Sequence, residues 1–308
     1  MTSDEPELRP ARAAGLGRYL VRLPLAVALG PWRWRTATLV EGPAGWGECS
    51  PLPGYADDEP TAARAAEEAA TRPWPTPVRA EVAVNALVPA IEPSAVGEHL
   101  RRHCRGARAV KVKVGDPGGL DRVAAVRDHL GPAAAVRVDA NGAWDLAAAE
   151  RQLRRMAAYD LELAEQPVAD LADLAALRRR VGVAVAADEA VRDVADARRL
   201  ARLGAADAVV VKVQAVGGLA TAAAVIEAAG VPAVVSSLYE TSVGLAVGLA
   251  LAASLPELPY ACGLGTASLL AADVVEDPLV AVDGVLAVRR VVPTPALLAR
   301  YADPGPPR

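Results

Sequence analysis

The sequence predicts a closed barrel of parallel strands and helices behind a small N-terminal α+β domain. Three observations carry that reading. From about Glu81 onward, short β-branched runs alternate with long Ala/Leu/Arg-rich helical stretches. The strand ends recur at a near-constant step: Lys113, Asp139, Glu165, Asp188, Lys212 and Ser236 are separated by 26, 26, 23, 24 and 24 residues, about one βα unit each. The runs are apolar on both faces, as parallel strands covered by helices must be. Eight of them fit a barrel better than a doubly wound sheet, and neither G-x-G-x-x-G nor G-x-x-x-x-G-K-[ST] follows the first strand.

In chain order, Arg18–Leu25 and Arg33–Glu41 read as strands. The glycine- and proline-punctuated stretch Gly45–Tyr55 reads as a loop. Asp58–Arg72 is a helix with an acidic first turn, ended by Pro73-Trp74-Pro75-Thr76-Pro77, a domain linker. Residues 1–80 therefore form the first domain. The barrel spans 81–272, with strands at Val82–Val88, Ala109–Val114, Ala135–Asp139, Leu161–Glu165, Val183–Asp188, Ala208–Val213, Ala233–Ser237 and, more weakly, Ala261–Gly265. Residues 273–308 return to the first domain through strand-like pieces at Leu279–Val282 and Val285–Val292, and Asp303–Arg308 is a disordered tail.

Composition excludes several classes. With Lys+Arg 33 against Asp+Glu 37 the net charge is −4, which argues against a nucleic-acid partner. The longest apolar run, Val243–Leu255, is too short to span a bilayer, and the acidic start Met1–Glu7 lacks the pattern of a signal peptide. Three widely spaced cysteines, Cys49, Cys104 and Cys262, suggest neither a disulfide framework nor a zinc ribbon. The expectation is a soluble cytoplasmic protein. His99 and His103 are spaced i, i+4 but lack the H-E-x-x-H context, so they read as surface helix residues.

The basic residues are the most informative. Thirty are arginine, and only Lys111, Lys113 and Lys212 are lysine. A guanidinium stays charged near neutral pH, whereas a lysine can exchange a proton once its pKa is lowered. Lys111 and Lys113 are two apart on one strand, so both face one side, and the valines between and after them face the other. A buried positive pair needs negative charge nearby or must lose a proton. The negative charge follows: Asp139, Glu165 and Asp188 close three consecutive strands. A single Asp after a strand is often only a helix cap. Three at successive steps place three carboxylates together on the rim, where a hard divalent cation, Mg²⁺ or Mn²⁺ in its place, would relieve their repulsion. Lys212 follows on the far side. Lysines flanking a metal-bound carboxylate suit proton abstraction from the adjacent carbon, the enediolate being stabilised by the metal.

These residues resemble the enolase superfamily, specifically its muconate-lactonising subgroup, in the K-x-K pair, the D-x-N, E-Q-P and D-E strand ends and the later lysine. More narrowly, Gly45-Trp46-Gly47-Glu48, Val84–Ala90, Val110–Gly115, Arg137–Trp144, Ser236-Ser237, Thr241–Gly244 and Ala261–Thr266 resemble the actinobacterial o-succinylbenzoate synthase family. The resemblance runs from about residue 18 to 295. It implies a modified TIM barrel, (β/α)7β, with a capping domain completed by the C-terminal segment. It implies that Asp139, Glu165 and Asp188 bind Mg²⁺, that Lys113 moves the proton, that Lys212 stays charged, and that Lys111 keeps Lys113 oriented and deprotonated. Asn141 and Glu189 would stand behind the ligands, and Ser236 and Ser237 would line the succinyl end of the substrate. Capping loops near Ala26–Arg33 and Ser50–Tyr55 would close over the site. The implied activity is Mg²⁺-dependent dehydration of a small-molecule carboxylate, 2-succinyl-6-hydroxy-2,4-cyclohexadiene-1-carboxylate, in menaquinone biosynthesis. The same site would also serve an N-acylamino acid racemase, a dipeptide epimerase or a cycloisomerase; a non-catalytic barrel is the alternative from another class. The chain departs from the family pattern at Ala28–Arg33 and Leu238-Tyr239, where substrate choice is set.

Overall fold

The structure is a computed structural model describing residues 15–52 and 58–303. The chain opens with an antiparallel sheet of β1 (Gly17–Leu29), β2 (Trp32–Gly42) and β3 (Gly45–Cys49), in that order. Val21, Leu23, Ala37 and Leu39 alternate with more exposed positions and are buried, as period-two strands covered on one face require. Helix α1 (Glu59–Thr71) lies against this sheet. Asp58 caps it, accepting from the Thr61 amide at 3.3 Å, and five alanines face inward. The glycine-rich stretch read as a loop is thus partly a strand. The reason is packing: a Cβ at Gly47 would overlap the Ala66 carbonyl of α1. The glycines admit a helix at close range instead of marking a turn. The expected loop's last residues, 53–55, lie outside the described residues.

The second region supplies β4 (Glu81–Ala83), β5 (Ala86–Val88), α2 (Val96–His103), β6 (Ala109–Lys113), α3 (Gly119–Leu130), β7 (Ala135–Asp139), α4 (Leu146–Met156), β8 (Leu161–Glu165), α5 (Leu171–Arg178), β9 (Val185–Ala187), α6 (Val194–Leu203), β10 (Ala208–Lys212), α7 (Val213–Val216), α8 (Leu219–Ala229), β11 (Ala233–Ser236) and α9 (Ser242–Ser254). Strands β5 to β11 form one parallel sheet in sequence order. The segment at 262–263 bridges both edges, Cys262 to Val84 and Gly263 to Ser236, closing the ring where the eighth strand was expected. The single strand expected at Val82–Val88 is broken. Its first half, β4, pairs antiparallel with β12 (Val285–Ala287), and Asn85 turns the chain into the barrel.

Two other expectations need correction. Leu279–Val282 forms no strand beyond one bridge from Val282, and β12 stops at Ala287, far short of Val292. The backbone rejoins the first sheet at Ala271, whose amide donates to the Pro24 carbonyl, and again after α10 (Pro295–Arg300), where Arg22 donates to the Tyr301 carbonyl and Asp303 donates to that of Leu20. Asp303 is therefore tied down, while 304–308 lie outside the described residues.

Barrel strands put alternate residues inside. Leu163, Ala186, Ala208, Val210 and Val234 pack as a small apolar cluster of their own, separate from the large core between strands and helices. This cluster lies one step below the polar strand ends of β8 to β11. It is a water-excluding floor, so charges above it interact in a low dielectric.

No helix among the described residues is long and apolar enough to cross a membrane. His99 is not a surface residue: it is buried, with Nε2 2.8 Å from the Leu87 carbonyl. All three cysteines are buried, and burial pushes Cys49 up to about 11 and Cys104 and Cys262 up to about 12. A thiol with so little thiolate at neutral pH reacts slowly. Titration with an aromatic disulfide reagent at pH 8 should therefore count three thiols only after denaturation. A fast-reacting thiol in the folded protein would contradict the burial.

Candidate active site

The strand ends meet at a cavity of about 240 Å³ on the C-terminal face of the barrel. Lys111, Lys113, Asp139, Asn141, Asp188, Lys212, Ser236 and Ser237 line it from below, and Leu29 and Trp32 of the first sheet and Leu52 of the loop after it from above. Glu165 lies deeper, and Glu189 lines an adjoining groove.

The capping explanation for the three acids fails on position. Helices α4, α5 and α6 are capped by Asp145, Asp170 and Asp193, each five or six residues further along. Asp139, Glu165 and Asp188 are buried and directed to other partners.

Those partners are lysines. Lys111 Nζ lies 2.6 Å from Glu165 and 3.0 Å from Asp139. Lys113 Nζ lies 2.7 Å from both Asp139 Oδ2 and Asn141 Oδ1. Lys212 Nζ lies 2.6 Å from Asp188 Oδ1. The sequence suggested three carboxylates converging on one point. Among the described residues, no three acidic, His or Cys side chains are so placed. Register explains the difference. Asp139 pairs level with Glu165, but Glu165 pairs with Ala186, which leaves Asp188 two residues further along its strand. Ammonium groups bridge the gaps.

The loops behind the acids are built by local hydrogen bonds. Asn141 adopts a left-handed φ of 49°, and its amide donates to Asp139 Oδ1 at 3.0 Å. Its side chain then links Lys113 to Glu189, donating to Glu189 Oε1 at 2.7 Å. Gln166, with φ 36°, accepts from the Asp188 amide at 2.6 Å and the Ala190 amide at 3.2 Å. The glutamine of E-Q-P thus fixes the D-E turn of the next strand.

Charge in the site is unbalanced. Four carboxylates (Asp139, Glu165, Asp188, Glu189) face three ammoniums, leaving a net negative charge if all ionise. Burial pushes Glu165 up, and the neighbouring Asp139 and Asp188 add to it against Lys111. Burial and Asp188 likewise push Glu189 up. Asp139, despite burial, is held below the usual range by Lys111 and Lys113. The low pKa expected of Lys113 is not met in this arrangement. Burial alone would lower it, but Asp139 at 2.7 Å outweighs burial and holds it up. Among the described residues, the buried Glu189 Oε2 has no hydrogen-bond partner. Hard oxygen donors, surplus negative charge and an orphaned carboxylate oxygen together fit a divalent cation.

The hydroxyls of Ser236 and Ser237 turn toward the Gly263 carbonyl, Ser237 at 2.7 Å, and Ser237 also meets Thr266 Oγ1 at 3.0 Å. The sequence reading missed a second polar layer where the first sheet meets the barrel. Glu48 accepts from Ser50 Oγ, from Thr241 and from the Gly244 amide at the N-terminal turn of α9. The motif Gly45-Trp46-Gly47-Glu48 held the signal, but only as resemblance. Arg35, also in this layer with its guanidinium 3.0 Å from the Leu238 carbonyl, gave none, being one arginine among 30.

Burial and the neighbouring Glu240 push Glu48 up to about 7. A carboxyl whose folded pKa exceeds its unfolded value keeps its proton longer when folded. Its contribution is therefore lost as pH rises from about 4.5 to 7. Glu48→Gln should reduce the fall in unfolding free energy between pH 5 and pH 8 by on the order of 2 kcal/mol. Urea denaturation at the two pH values measures this, and an unchanged difference refutes it.

Comparison with known proteins agrees with this architecture. Residues 95–294 match the family described as Enolase C-terminal domain-like, and residues 20–70 match Enolase N-terminal domain-like. A Thermobifida fusca protein named o-succinylbenzoate synthase is 51% identical over 265 residues, 83% of this chain and 82% of the relative. A Mycobacterium tuberculosis protein of the same name is 44% identical over 97% of this chain and 92% of the relative. Among solved structures, 2-chloromuconate cycloisomerase from Rhodococcus opacus superposes with a TM-score of 0.82 at 24% identity, covering 94% of this chain and 98% of that one, a likeness of fold. The chain belongs to the enolase superfamily and, within it, to the o-succinylbenzoate synthase family.

Proposed function

We propose that the chain dehydrates 2-succinyl-6-hydroxy-2,4-cyclohexadiene-1-carboxylate to 2-succinylbenzoate, the carbon–oxygen lyase step of menaquinone biosynthesis. The supporting observation is one cavity ringed by Lys113, Asp139, Asp188 and Lys212, in a chain 51% identical to a relative of that name. In this reading Asp139, Glu165 and Asp188 hold Mg²⁺, with Mn²⁺ as a substitute. Bound there, the ion would supply positive charge to stabilise the carboxylate substrate as negative charge develops and to offset the acids that keep Lys113 protonated. Lys113 takes the proton from the carbon beside the carboxylate and returns it to the departing hydroxyl, so that water leaves and the ring becomes aromatic. Lys111 keeps Lys113 oriented from below. Lys212 stays charged across the cavity and stabilises the negative charge that develops. Asn141 and Glu189 position Lys113 and the acids from behind, and Ser236 and Ser237 line the succinyl end. Residues 1–80, with 273–308 returning to them, act as the cap, and 81–272 as the catalytic barrel. We take the enzyme to work in the cytoplasm, without nucleic-acid or membrane partners.

Ultraviolet absorbance with freshly generated substrate tests this reading. Conversion that stops in chelator and resumes with Mg²⁺ supports it; no conversion by the Mg²⁺-loaded protein sinks it. A second reading, racemisation of N-acylamino acids, rests on Lys113 and Lys212 standing on strands with three others between them. Lys212→Arg separates the two. A one-base dehydratase should retain part of its rate, whereas a two-base racemase should lose both proton exchange and activity.

A further inference from the structure

The joint between the first sheet and the barrel holds buried polar side chains that the proton chemistry does not use. Arg35, on β2, is buried, and its guanidinium bonds main-chain carbonyls on both sides of the joint. On the cap side these are Ser50 and Pro51, the latter at 2.9 Å. On the barrel side they are Leu238 at 3.0 Å and Tyr239 at 3.3 Å. Gln214, two residues after Lys212, completes the tie. It accepts from the Ser50 amide at 2.9 Å and donates to Glu240 at 2.7 Å. Glu240 in turn accepts from the Leu238 amide. The segment so held is under backbone strain: Tyr239 adopts φ 60°, a left-handed conformation unfavourable for a bulky residue. Ser237, Leu238 and Tyr239 line the cavity, as does Leu52 beyond Pro51.

Three rim segments therefore share one set of hydrogen bonds: α7 just after β10, the loop after β11 and the cap loop at 50–51. We propose that Arg35 and Gln214 are positioning residues: they clasp cap to barrel and thereby fix the 237–239 wall of the substrate cavity. A guanidinium suits this work because five N–H donors held in one plane span carbonyls on both sides of the joint, where an ammonium offers three donors about a single nitrogen. Without the clasp, Tyr239 can relax toward a common backbone conformation and the wall moves. This inference rests on the proposed dehydration for its substrate, but the clasp can be read without it.

The test compares wild type with Arg35→Lys and Gln214→Met, the second guarding against misfolding of the first. Backbone hydrogen exchange is followed by mass spectrometry on peptides covering 236–244. Exchange in that segment should accelerate at least tenfold in each folded variant, with barrel strands β6 to β8 unchanged. Steady-state kinetics give the second readout. A displaced wall raises KM at least fivefold while kcat falls less; mere loss of folded enzyme lowers apparent kcat and leaves KM alone. Unchanged exchange in 236–244, or a fall in kcat at constant KM, overturns the proposal. If wild type shows no turnover, the dehydration reading fails, and the exchange result still decides the clasp.

Discussion

Lys113→Ala should lower kcat at least about a thousandfold while leaving the fold intact. The magnitude follows from the proposed role. A positioned general acid or base contributes about 10²- to 10⁴-fold, and Lys113 is asked to be both in turn. The fold should survive because the deletion leaves no orphaned charge: Asp139 still has Lys111 Nζ at 3.0 Å. Lys113→Arg is the sharper version. It keeps a cation beside Asp139 but cannot give up a proton near neutral pH. If Lys113 merely neutralised Asp139, arginine would restore activity; if it moves a proton, arginine should be as inactive as alanine. Steady-state assays with thermal midpoints measured in parallel check this. An arginine variant keeping more than about a tenth of wild-type kcat would remove Lys113 from the chemistry.

Much of this site was legible from spacing. The βα step put Lys113, Asp139, Glu165, Asp188, Lys212 and Ser236 at successive strand ends, and a closed barrel brings such ends to one rim. Periodicity does not encode relative height. The offset that leaves Asp188 two residues beyond the level of Glu165 arises from strand pairing, so the carboxylates are interleaved with ammoniums rather than gathered. Nor does it encode why a glycine is present. Gly47 admits α1 to β3, and that close contact carries Glu48 to the barrel joint. Arg35 shows the same limit. Its importance lies in carbonyls more than 200 residues away, at Leu238 and Tyr239, which no local pattern announces.

The second large effect concerns the divalent ion. Asp139, Glu165, Asp188 and Glu189 confront Lys111, Lys113 and Lys212 in a buried site, and Glu189 Oε2 has no hydrogen-bond partner among the described residues. Each unsatisfied buried anion weakens the folded state, so a cation that binds only that state should stabilise it by RT ln(1 + [L]/Kd). At a hundredfold excess over Kd this is about 2.7 kcal/mol. For a chain of this size that amounts to a rise in midpoint of roughly 4 °C. Thermal unfolding in Mg²⁺ against chelator measures it without any substrate. Asp188→Asn should abolish most of the Mg²⁺-dependent difference. Its absolute midpoint will also fall, because Lys212 loses the carboxylate 2.6 Å away, so the quantity to compare is the difference between the two buffers. Glu162→Gln is the matching control. Glu162 pairs with Arg137 in the barrel, neither of them lining the cavity, and its substitution should leave the Mg²⁺ response unchanged. Equal wild-type midpoints in saturating Mg²⁺ and in chelator would show that the lysines alone satisfy these acids, and the metal-assisted mechanism would have no support in this chain.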